Sequence, residues 1–167
     1  HDLSGWRVLD AFAGSGALGL EAASRGADAV VMLEREPALV RHIQASVQKL
    51  GASGVTVLAA DAVAWMAQQG TRQPGAFDLV LLDPPFDAGL FEAALSAATA
   101  CVPVGGWIYL EAPMPCCVGP EVVNTQAAQT LLLPPGLRLH RQGRAGAVHY
   151  HLIERVAGPS DSPGQGV

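Results

Sequence analysis

With 167 residues, half of them hydrophobic and only 15% charged, the chain has the length of one domain and the composition of a packed core, which excludes an intrinsically disordered protein. No apolar run approaches the ~20 residues of a membrane span and no charged-then-apolar leader opens the chain, so the expectation is a soluble, cytoplasmic protein with no membrane partner. A net charge of −5 argues against binding nucleic acid by bulk charge alone.

The charge is unevenly spread. Residues 1–137 carry 6 basic and 13 acidic side chains, whereas Arg138, Arg141, Arg144 and Arg155 face only Glu154 in residues 138–155. Such a cluster is ordinarily a solvated face, and its functional alternative is a phosphate-contacting edge. Cys101, Cys116 and Cys117 match no zinc spacing, and adjacent cysteines are poor partners for a structural disulfide. Reduced thiols, two of them on a loop, are expected.

Residues 1–5 form a polar lead-in, and Trp6 to Ala13 reads as a strand buried on both faces. The strand runs into the turn Gly14-Ser15-Gly16 and a helix from Ala17 to Ser24, stopped by Gly26. Glycines let a ligand approach the backbone, and a helix N-terminus offers unpaired N–H groups. GxGxxG alone is shared by several nucleotide-binding classes. Asp10 narrows the choice, because a carboxylate there repels a pyrophosphate and attracts a cationic, hydroxyl-bearing ligand. S-adenosylmethionine has an amino group, a sulfonium and ribose hydroxyls, so this turn reads as a methyl-donor site, with dinucleotide binding as the rival.

Ala29 to Leu33 is the second strand. It ends at Glu34, where an α/β nucleotide site places the carboxylate that grips ribose hydroxyls. Pro37 opens the next helix, which Gly51 closes; Leu39, Val40, Ile43, Val47 and Leu50 make its expected buried stripe. Val55 to Ala60 is the third strand. Asp61 after it is equally a hydrogen-bonding partner for an adenine amine and an N-cap for a helix over Ala62 to Gln69.

Phe77 to Leu82 is the fourth strand and ends in Asp83-Pro84-Pro85-Phe86. Two prolines remove two N–H donors and stiffen the turn, leaving the Asp83 side chain and the Pro84 carbonyl as fixed acceptors for the two donors of an exocyclic amine. Phe86 is placed to stack on a base. Catalysis on such an amine is largely positioning, and Asp83, Pro84, Pro85 and Phe86 are the candidate catalytic residues. The bland alternative is an ordinary Asp-Pro turn.

Phe91 to Cys101 reads as a helix and Gly106 to Glu111 as a fifth strand. Pro113 to Pro135 reads as a loop with at most a short helix. Leu137 to Gln142 and Ala147 to Glu154 suggest an antiparallel hairpin around Gly143 and Gly146. His149, His151 and Ile153 share one face of its second strand, and the two histidines are expected to be exposed; no metal site is expected. Residues 157–167 read as a disordered tail, leaving residues 1–156 as a single domain.

The run from Asp10 to Gly26, followed by Glu34, Asp61 and Asp83-Pro-Pro-Phe86, resembles the RsmD family, bacterial 16S rRNA methyltransferases that modify a guanine N2 amine (position 966). The Gly143-to-Tyr150 stretch is similar to that family's closing strands. The resemblance implies a Rossmann-like class I S-adenosylmethionine-dependent methyltransferase fold: a seven-stranded, mostly parallel sheet with an antiparallel last strand and helices on both faces. It implies S-adenosylmethionine as cofactor, S-adenosylhomocysteine as product, and 16S rRNA or a small-subunit assembly intermediate as partner, with a monomer as the working expectation. It implies methionine contacts near Asp10 and Gly14, ribose contacts from Glu34, adenine contacts at Asp61 and the target amine at Asp83 and Pro84, with Phe12, Ala13, Gly16, Gly19, Arg35 and Ala62 as further cofactor-binding candidates. Phe86 with Arg138, Arg141 and Arg144 are the candidate RNA contacts. The family's basic N-terminal segment has no counterpart ahead of Trp6, which implies a chain shortened there, with weakened cofactor and RNA binding. A guanine N2 amine is half buried in a paired helix, so an extruded or unpaired nucleotide is the expected target. The competing readings are a DNA or RNA adenine-N6 or cytosine-N4 methyltransferase, a dinucleotide-dependent oxidoreductase, and a non-catalytic binding module on the same fold.

Overall fold

The computed structural model describes residues 2–86, 89–117 and 131–158. Strands and helices alternate through β1 (Arg7–Asp10), α1 (Ala17–Ser24), β2 (Ala29–Glu34), α2 (Pro37–Leu50), β3 (Val55–Ala59), α3 (Ala62–Arg72), β4 (Leu79–Leu82), α4 (Phe91–Cys101) and β5 (Trp107–Ala112). Parallel strands need a crossover between them, and each helix supplies one. Two short strands, β6 (Cys116–Cys117) and β7 (Leu131–Leu132), pair in parallel apart from the main sheet. The hairpin β8 (Leu137–Ala145) and β9 (Val148–Arg155) completes the main sheet, with β9 antiparallel to β5.

The seven-stranded order is β3-β2-β1-β4-β5-β9-β8. Successive strand residues point to opposite faces, and two cores follow. Val8, Val30, Met32 and Ile43 pack under α1 and α2, while Leu9, Val80, Leu82, Met66 and Leu95 pack under α3 and α4. β1 and β4 lie side by side in the middle, covered on both faces, which is why β4 is wholly apolar and β1 is apolar between Arg7 and Asp10. The order reverses between β1 and β4, and an open α/β sheet binds ligands at such a point, beyond the strand carboxyl ends.

Several elements depart from the sequence expectation. β1 stops at Asp10 because the backbone then turns between its neighbours: Ala11 N–H donates to Leu81 of β4 and Ala13 N–H to Leu33 of β2. Leu39 and Leu50 are 39% and 65% exposed, so the buried stripe of α2 narrows to Val40 and Ile43 with Val47 half-buried. α2 packs over β2 and β3, at the edge of the sheet, where a helix has less surface to cover. α3 continues three residues past Gln69, through Gly70. A Cβ on Gly70 would stand 2.5 Å from the Ala100 Cβ of α4, so this glycine is a contact point between helices.

The expected loop over Pro113 to Pro135 is corrected where it can be seen. Cys116 lies in β6 and is 2% exposed, and Cys101 is also buried with a free thiol; residues 118–130 and 159–167 lie outside the described part. The hairpin is longer than expected. Gly143 sits inside β8, beneath the ring of Tyr150, and the turn falls at Gly146, whose φ is 61°. His151 is not exposed: it is fully buried, its Nε2 accepting from Cys116 N–H at 3.1 Å and its Nδ1 facing the Leu110 carbonyl at 3.2 Å. Burial holds its pKa below the ordinary histidine range. A polar ring can occupy that core position because both of its nitrogens have backbone partners.

Candidate functional site

A cavity of about 520 Å³ opens at the carboxyl ends of β1, β2, β3 and β4, within the range of small-molecule sites. Phe12 and Gly14 from the first turn, Glu34 and Arg35 after β2, Asp61 and Ala62 at the start of α3, and Asp83, Pro84, Pro85 and Phe86 after β4 all line it. The sequence thus places its two motifs, separated by about seventy residues, on one cavity. Ala11, Leu33, Glu36, Ala60, Val63 and Leu90 line it too, and no motif marked them; they are simply the neighbours of strand ends.

The first turn is built around Asp10. Its side chain is 1% exposed, and Oδ2 accepts the Gly19 N–H of α1 at 2.9 Å, while Oδ1 is buried without a hydrogen-bond partner. Burial pushes the carboxyl up to about 7, with the charges of Asp83 and Glu34 adding to the shift and the Gly19 N–H opposing it. Asp10 lies beneath the turn and does not line the cavity. Ala13, Gly16 and Gly19 do not line it either. Gly16 has φ 85°, and a Cβ there would meet Ile43 and Met32 at 3.1 Å; a Cβ on Gly19 would stand 2.7 Å from Met32 Cε and 2.9 Å from Asp10 Oδ2. These two glycines let α1 close down on β2 and Asp10, and Gly14 alone of the three turns its open side to the cavity.

Glu34 ties the turn to β2. Its Oε2 accepts from Gly14 N–H at 2.9 Å and its Oε1 from Glu36 N–H at 2.8 Å. Each oxygen keeps a second lone pair for a hydroxyl. Arg35 is exposed beside Glu36, with 3.9 Å between the charged groups. Asp61 performs the capping half of its expected work, its Oδ1 accepting from Ala64 N–H at 2.9 Å; its other oxygen has no hydrogen bond among the described residues.

At the opposite wall, Pro84 is buried while Asp83 and Pro85 are exposed. Partial loss of water around the carboxyl, then the charge of Glu111, holds Asp83 above the usual carboxylate range. Phe86 is 43% exposed, its ring braced 6.3 Å from that of Phe91. A half-exposed aromatic beside two fixed acceptors can take a flat, amine-bearing ring.

The arginines do not form one patch. A bulge between Leu139 and Arg141 shifts the register of β8, so His140 is the extra residue. Arg138 and Arg141 then oppose Glu154 and Leu152 on one face, and Arg144 opposes His149 on the other. Arg138 pairs with Glu154 at 2.7 Å, and Arg144 Nε donates to the Gly146 carbonyl at 2.7 Å. Among the described residues no group of histidine, cysteine, aspartate or glutamate could hold a metal ion, and no helix is long and apolar enough to cross a membrane.

The fold superposes on a solved structure of a putative methyltransferase from Escherichia coli with a TM-score of 0.72 and 32% identity, covering 93% of this chain and 78% of that one. A putative methylase from Haemophilus influenzae gives 0.74 and 27%, covering 93% and 82%. The fold is therefore that of the class I, Rossmann-like methyltransferases. A family model described as "Conserved hypothetical protein 95" matches residues 1–154. Ribosomal RNA small subunit methyltransferase D of E. coli K12 is 36% identical over 157 residues, 93% of this chain and 72% of that protein, and its H. influenzae counterpart is 32% identical over 148 residues, 87% and 70%. The chain belongs to this family, the RsmD family.

Proposed function

We propose that this protein transfers a methyl group from S-adenosylmethionine to the exocyclic N2 amine of a guanine in 16S ribosomal RNA, at the position 966 that the resemblance implies. The observation that carries the reading is the convergence of Glu34, Asp61 and the Gly14 turn with Asp83-Pro-Pro-Phe86 on one cavity, in a chain whose relatives are named for methylation of small-subunit rRNA. We place the nucleoside of the donor between Glu34 and Asp61 and its methionine end over the Phe12–Gly14 turn. Bound there, the cofactor supplies a methyl group on a sulfonium.

The chain's own residues position the other reactant. Asp83 and the Pro84 carbonyl accept the two N–H donors of the amine, which turns its lone pair away from the ring and toward the methyl carbon. The new C–N bond forms as the carbon–sulfur bond breaks and the sulfur keeps that electron pair. The proton then lost from the amine passes to Asp83 or to water, and the raised proton affinity of Asp83 suits it to receive one. Phe86 stacks on the extruded base, and Arg138, Arg141 and Arg144 supply phosphate contacts around the β8 edge. Residues 1–156 make the single domain that does this, acting as a monomer without a metal.

Calorimetric titration with S-adenosylhomocysteine, with NAD as control, tests the donor site. Tight binding of the first, weakened by Glu34→Ala, is expected, and binding of NAD alone refutes it. Transfer of labelled methyl to unmodified small subunits tests the acceptor site. Asp83→Ala and Phe86→Ala are expected to abolish transfer while leaving S-adenosylhomocysteine bound, and unchanged transfer in both would remove the assignment.

A further inference from the structure

β4 and β5 run parallel, and their last register pair is Leu82 with Leu110. One residue further on, the two strand ends carry Asp83 and Glu111. Leu82 and Leu110 both belong to the core under α3 and α4, so alternation places both carboxylates on the opposite face, the face of Tyr109. The two carboxylates are close enough for the Glu111 charge to act on Asp83. Glu111 is half-buried and, unlike Asp83, lies outside the lining of the cavity. Its Oε1 accepts the Tyr109 hydroxyl at 2.9 Å, the side chain's only hydrogen bond among the described residues, and Oε2 remains open. Tyr109 comes from the same strand and the same face and is itself half-buried, so it fixes Glu111 from within the sheet.

We infer that Glu111 is a specificity-determining residue of the Asp83-Pro-Pro-Phe86 site, accepting the ring N1–H of the guanine whose N2 amine is held by Asp83 and the Pro84 carbonyl, with Tyr109 as the positioning residue. This rests on the proposed methylation of a guanine amine. The chemistry of the bases selects the partner. Guanine presents N1–H and N2–H2 side by side, donors next to donors. Adenine and cytosine also carry an amine, but each places an unprotonated ring nitrogen beside it. Two adjacent carboxylates attract the first pattern and repel the lone pair of the second. A single acceptor pair at Asp83 and Pro84 would bind any exocyclic amine; a second carboxylate one strand over makes the site read the neighbouring atom as well.

The test compares small subunits reconstituted with guanosine or 2-aminopurine riboside at the target nucleotide, the latter keeping the amine but lacking the N1 proton. The intact protein is expected to methylate guanosine at least tenfold faster in kcat/KM. Glu111→Gln, whose amide can donate to an unprotonated N1, is expected to bring that ratio near one, and Tyr109→Phe to lower it part of the way. Affinity for S-adenosylhomocysteine is expected to be the same in all three proteins. A Glu111→Gln protein that keeps the full ratio, or an intact protein that does not discriminate, overturns the role of Glu111 alone. An intact protein that methylates neither subunit, or a different atom, overturns the guanine-amine reading and this inference with it.

Discussion

Replacing Asp10 by asparagine gives a stability change whose pH dependence follows from the burial of one carboxyl. Asp10 is 1% exposed, and burial pushes its carboxyl up from the ordinary 3.8 to about 7. An acid that holds its proton more tightly when folded favours the fold most at low pH. That advantage shrinks as pH rises through 3.8 and is gone above 7. Three pH units correspond to about 4 kcal/mol, of which roughly 2.5 kcal/mol falls between pH 5 and pH 8. Asparagine keeps an acceptor for the Gly19 N–H and does not titrate. The difference in Tm between the asparagine variant and the parent is therefore expected to move in the variant's favour by about 5–10 °C from pH 5 to pH 8, using 2–4 °C per kcal/mol for a chain of this size. Thermal melts by circular dichroism at the two pH values measure it. An equal difference at both would mean that Asp10 does not titrate in this range and that the orphaned Oδ1 is solvated.

Three further outcomes are expected. Asp61→Ala removes the N-cap of α3 and should lower stability by about 1 kcal/mol in urea titrations, while Asp61→Ser restores most of it; if both bind S-adenosylhomocysteine as the parent does, Asp61 is a cap only. His151→Leu removes the ring acceptor of the Cys116 N–H and should cost about 1–3 kcal/mol, whereas a parent-like denaturation midpoint would mean that this hydrogen bond adds nothing net to the fold. Gly70→Ala gains about 1 kcal/mol of helix propensity but drives its methyl into Ala100; overpacking of about 1–3 kcal/mol should win, and a raised Tm would show that α3 and α4 part freely.

Much of this was legible because two periodicities and two turns dominate the chain. β4 is apolar without a break and β1 is apolar up to Asp10, which marks central parallel strands, and the turns after them are written in glycine and proline. The same signals failed where tertiary contact decides. The helix expected to end at Gln69 runs on through Gly70, a close approach between helices. Gly143 reads as a turn and is a strand residue shaded by Tyr150. His151 reads as exposed by type and is buried by its register with Leu110. At the site, the cavity collected the residues of the two motifs and left Asp10, Gly16 and Gly19 beneath it, since a strand-to-helix turn has a floor as well as a rim and spacing does not separate the two. Glu111 carried no motif at all. Its place beside Asp83 depends on strand order, which no local pattern encodes.

The bulge at His140 also bears on behaviour in solution. β8 ends the sheet, and an edge strand is a template for joining another chain. A regular β8 would offer a flat row of unpaired amides. The extra residue breaks that row near its middle, and charged side chains then project on both sides of the break, Arg138 and Arg141 one way and Arg144 the other. A second copy approaching edge to edge would meet a kinked ladder and like charges above and below the plane. Straightening this strand by deleting His140 would lower the barrier to self-association and aggregation before it touched any chemistry.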